Sequence, residues 1–112
     1  MPLDLAANPQ LRTILAELRR RFEDLYGDRL VKMVLYGSQA RGDARRSSDI
    51  DVMVVLKGPV VPSQEIHRTG GIVSEVCLEF DAVVQCHFVD QKRFEHSDDF
   101  LMENVQRDGV EL

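Results

Sequence analysis

The run from Ile50 to Leu56 constrains this chain more than any other stretch, because after Asp51 it is apolar at odd and even positions alike. A strand built from it has no face suited to water, so it belongs at the centre of a sheet covered on both sides. Elements able to cover it are legible on either side. Leu11, Ile14, Leu15, Leu18, Phe22 and Leu25 recur at helical spacing, with Asn8 placed to cap, Pro9 at the first position and Gly27 as the stop. Leu30 to Tyr36 reads as a strand ending at a glycine, and Lys57-Gly58-Pro59 terminates the central one. Ile66, Val73, Val76, Cys77 and Phe80 outline a helix over 63–79, where Gly70-Gly71 offers a place to break at about 1 kcal/mol per glycine. Asp81 to Val89 reads as a third strand. Ser97, followed by Asp98 and Asp99, opens a last helix, apolar at Phe100, Leu101 and Val105 and stopped by Gly109. The expected fold is α/β (α+β), a small mixed β-sheet flanked by helices, with residues 1–112 forming a single domain around one core.

Several function classes recede on composition. The chain is 44% hydrophobic and 29% charged, a globular balance, and no apolar run approaches the ~20 residues that span a bilayer. The N-terminus has no basic region leading into an apolar core, so the expected location is cytoplasmic, with no membrane partner. A net charge of -5 argues against a general duplex DNA binder but allows a nucleotide held through a cation. Cys77 and Cys86 lack CxxC spacing and read as apolar fillers. His67, His87 and His96 lack metal-ligand spacing, which argues against zinc. Arg19-Arg20-Arg21, diluted by Glu17 and Glu23, reads as a solvated helix face.

The chemistry concentrates between Gly37 and Asp51. Gly37 lets backbone approach an anion and Ser38 adds a hydroxyl donor, so the end of the first strand can cradle a phosphate; a plain strand-to-helix turn would use the same residues. This is neither GxxxxGK[ST] nor GxGxxG. Asp49 and Asp51, two apart on a strand, point to one face, where their charges repel unless a cation lies between them. Mg2+ suits such a pair, since it takes one or two protein carboxylates and completes its shell with water and substrate phosphates. Following the cradle so closely, the pair points to metal-assisted nucleotidyl transfer rather than a solvated strand end. Arg45 and Arg46 either neutralise phosphate or lie in solvent, and Tyr36 reads as a core aromatic at a strand end.

Gly37-Ser38-Gln39-Ala40-Arg41-Gly42, then Ser48-Asp49-Ile50-Asp51-Val52-Met53-Val54, resembles the signature of the minimal nucleotidyltransferases of the DNA polymerase beta superfamily. The resemblance implies ATP as substrate with two Mg2+ ions, Gly37 and Ser38 at the phosphates, Arg41 shaping the loop, and Asp49 and Asp51 as metal ligands. It also implies a third acid on the next strand, as ligand and base. Asp81 is the natural candidate. The same place can fall at Gln85, whose amide cannot act as base and which lies ~13 Å farther along a strand. Asp90 and Glu79 are weaker candidates. The implied acceptor is a hydroxyl, often a tyrosine on a small helical HEPN-type protein. Three functions fit: a protein adenylyltransferase, an antitoxin module that acts by binding, and a nucleotide-sensing domain. A homo-oligomer is compatible with each.

Overall fold

The computed structural model describes residues 9–37, 40, 49–96 and 99–112. Helix α1 (Pro9–Tyr26) leads through a short 3-10 turn (Gly27–Arg29) into β1 (Leu30–Tyr36). Strand β2 (Ile50–Leu56), helix α2 (Pro62–Phe80) and strand β3 (Val84–Asp90) follow. Helices α3 (Gln91–His96) and α4 (Phe100–Asp108) and the two-residue strand β4 (Val110–Glu111) complete the order. The sheet runs β3-β2-β1-β4, with β2 antiparallel to β1 and parallel to β3, and β4 antiparallel to β1. The fold is therefore the mixed sheet with flanking helices expected from the sequence, and β2 lies between two strands.

Alternation along the strands divides the interior into two layers. Met33 and Leu35 of β1, Ile50, Val52, Val54 and Leu56 of β2, and Val84 and Phe88 of β3 meet α1 and α2. Val34 and Tyr36, Met53 and Val55, and Val89 meet Phe94 of α3 and Met102 and Val105 of α4 on the other face. The larger layer centres on Phe22, fully buried, its ring stacked on Phe88 at 6.3 Å and edge-on to Tyr26 at 5.9 Å.

Some local expectations shift. Leu25 is 42% exposed and Ile66 57% exposed, so neither belongs to the core; Tyr26 packs on it instead, and α2 buries Glu65, Thr69 and Val76. The Glu65 carboxylate is enclosed because it has partners: the Tyr26 hydroxyl donates to it at 2.8 Å, and Arg68 and Arg29 approach to 3.1 and 3.5 Å. Arg29 also donates to the carbonyls of Lys57 and Pro59, so the α1–β1 joint is tied to the segment leading into α2. Arg19, Arg20 and Arg21 engage Glu23 and Glu17, and Arg21 also reaches Glu75 on α2. The cysteines are free thiols packed beside the core, and Cys77 Sγ accepts the N–H of Val84 at 3.3 Å. Asp99 caps α4 by accepting from Leu101 N at 2.8 Å; the expected starts at Asn8 and at Ser97 and Asp98 lie outside the described residues. Among the described residues no helix is long and apolar enough to cross a membrane.

Helix α2 passes through Gly70 and Gly71 without a break. A Cβ at Gly71 would meet nothing within 4 Å. Gly71→Ala is expected to stabilise the protein by about 0.5–1 kcal/mol, chiefly by restricting the unfolded chain, and to raise the calorimetric midpoint by about 4 °C.

Candidate active site

Three strands end on the same side of the sheet, and their registers align one row of residues: Tyr36 of β1 opposite Asp51 of β2, and Asp51 opposite Gln85 of β3. Asp49 stands just before β2, two residues from Asp51 and hence on the same face. That face is shared with Met53 and Val55, so the acid pair continues the smaller core layer outward to its polar rim.

Gly37 follows β1 at φ 74, a conformation that favours glycine. A Cβ there would lie 2.7 Å from Oδ2 of Asp51, so the missing side chain is the space the carboxylate occupies. Ala40, the next described residue, is buried in the larger core. Gly37→Ala combines that clash with an unfavourable φ. It is expected to cost about 1–3 kcal/mol of stability, read by chemical denaturation. Ser38, Arg41, Arg45 and Arg46 lie outside the described residues.

The electrostatics centre on Asp51. Burial pushes its carboxyl above the usual range, His87 opposes the shift, and the charge of Asp49 adds to it. The Tyr36 hydroxyl is pushed up to about 12 by burial and by Asp51, and its ring meets His87 edge-on at 5.8 Å. Gln85 Nε2 donates to Oδ2 of Asp49 at 2.8 Å. Two carboxylates on one face, one of them disfavoured as an anion by burial and by its neighbour, fit a divalent cation in donor chemistry and charge. Asp49 and Asp51 would hold it.

Asp81 does not join them. Helix α2 runs to Phe80, and Asp81 ends it as a C-cap at φ 50 with its N–H on the Cys77 carbonyl, so β3 begins only at Val84. The strand expected from Asp81 is displaced because the helix needs a left-handed residue before the chain can turn. In that register the neighbour of Asp51 is Gln85. Among the described residues no three His, Cys, Asp or Glu side chains gather as a metal set. The sequence reading missed His87 at this site. Its parity with Gln85 on β3 was the available signal, since i and i+2 share a strand face.

Comparisons with known proteins bear on the family and the fold. Two proteins of Methanocaldococcus jannaschii carry the name "Putative protein adenylyltransferase". MJ1305 is 36% identical over 70 residues, 62% of this chain and 46% of that protein. MJ0141 is 27% identical over 99 residues, 88% of this chain and 95% of that protein. The chain thus spans under half of MJ1305 and nearly all of MJ0141. Among solved structures, a toxin-antitoxin with AMP-PNP superposes at TM-score 0.57 with 19% identity, over 84% of this chain and 68% of that one. A toxin-antitoxin MntA-HpeT mutant superposes at 0.56 with 17% identity, over 83% and 68%. These two share the fold. The nucleotidyltransferase domain model matches residues 15–107, from the first buried turns of α1 to the end of α4, and the chain belongs to the nucleotidyltransferase domain family.

Proposed function

We propose that this chain transfers AMP from ATP to a hydroxyl of a partner protein, a tyrosine of a HEPN-type toxin being the acceptor that its sequence signature implies. The observation that carries the reading is the placement of Asp51 against the empty side of Gly37, with Asp49 on the same face. The names of the two archaeal relatives, and the toxin-antitoxin with AMP-PNP among the structural neighbours, support it.

In this reading Gly37, with Ser38 and Arg41, receives the triphosphate, and Asp49 and Asp51 hold Mg2+. The cation, when bound, neutralises phosphate charge and polarises the α-phosphate. The acceptor oxygen forms a bond to the α-phosphorus, the bond from that phosphorus to the β-phosphate oxygen breaks, and pyrophosphate departs. The acceptor's proton passes to one of the two carboxylates. Tyr36 and His87, in edge-on ring contact, lie beside Asp51 on the same sheet face.

A second reading, an antitoxin or sensing module that binds without transfer, is favoured by one observation: an amide, not an acid, stands beside Asp51. Incubation of the chain with its helical partner and ATP labelled at the α-phosphate separates the two. Label on the partner, dependent on Mg2+, supports transfer. Confirmed Mg-ATP binding and complex formation without label leaves the second reading standing and removes the first.

A further inference from the structure

Gln85 occupies the place on β3 beside Asp51, and we infer that it limits the site to one divalent cation by positioning Asp49 with an N–H where an acid would supply a further ligand. The inference rests on the cation reading above. Parallel pairing sets Gln85 opposite Asp51, and strand parity puts Asp49, Asp51 and Gln85 on one face. An acid at this place would bring the local charge to -3, which a single divalent ion leaves unbalanced. With an amide it is -2, and one ion neutralises it.

The amide is also engaged. Its nitrogen donates to Asp49 Oδ2 at 2.8 Å. An ionised carboxylate only accepts, so the nitrogen faces Asp49 and the amide oxygen is turned away from that bond. One acceptor position of Asp49 is thereby filled by a proton donor and the carboxylate is held in a fixed orientation, as the hydrogen-bond partners of metal-binding carboxylates commonly do. Among the described residues no other acid compensates. Asp81 sits in the helix-ending turn, and Asp90 lies at the far end of β3 opposite Leu56. The ion this site takes is then the one that arrives with the nucleotide's phosphates.

The test counts ions. Mn2+ is titrated into the protein with saturating AMP-PNP, and free Mn2+ is read by electron paramagnetic resonance. The native chain is expected to bind one Mn2+ per nucleotide. Gln85→Ala is expected to keep that number with about tenfold weaker affinity, and Gln85→Glu or Gln85→Asp to bind two. Two ions on the native chain, one ion on both acidic variants, or unchanged affinity in Gln85→Ala would each overturn the inference while leaving the nucleotide site intact. Failure of AMP-PNP to bind the native chain, measured separately by calorimetry, would instead remove the cation reading and this inference with it.

Discussion

Asp51→Asn is expected to slow AMP transfer about a thousandfold while making the cation-free protein more stable. The loss corresponds to about 4 kcal/mol of transition-state stabilisation, the scale on which a metal-assisted site depends on its ligands. The gain follows from the same residue's surroundings. Burial and the charge of Asp49 push the Asp51 carboxyl up, against the opposing effect of His87, so the folded state holds its proton more readily than the unfolded state does. Stability contributed by such a group falls as pH rises through the window above the ordinary carboxylate value, and at neutral pH the ionised form opposes folding. Asparagine is nearly isosteric and removes that opposition. Transfer rates and urea midpoints at neutral pH, both without and with Mg2+, check the pair of effects. A variant that loses activity together with stability would place Asp51 in the framework rather than the reaction.

The second large effect is in the core. Phe22→Ala is expected to destabilise the protein by about 4 kcal/mol, against the 5–15 kcal/mol that holds a typical domain together. The side chain is fully buried, stacks on Phe88 and touches Tyr26 edge-on. Phe88 shares β3 with Gln85 and His87, so the cavity opens beneath the strand that forms one wall of the site. Equilibrium denaturation measures the loss, and a cost below about 1 kcal/mol would mean the surrounding side chains collapse into the gap.

Much of this was legible in the sequence where a periodic pattern met a clear stop. Strands β1 and β2 fall where their apolar runs and the following glycines place them. Asp49, Asp51 and Gly37 gather because strand parity and a turn are local properties. Where the structure departs, distant packing decides. Gly70 and Gly71 leave α2 unbroken because Val76, Thr69 and Glu65 are buried along it, and tertiary burial outweighs propensity. Glu65 could not be read as buried, since its partners Tyr26 and Arg29 lie on another helix and a joint. Helix α3 and strand β4 are too short to show a period; β4 exists through its pairing with Val34 and Leu35. Asp81 looked like the start of a strand because nothing local announces a left-handed helix cap at an aspartate.

The acid pair rides on the strand that the rest of the molecule protects best. With β1 and β3 hydrogen-bonded on either edge and Val52 to Leu56 fully or almost fully buried, the amides of β2 should be among the last to exchange with deuterated solvent.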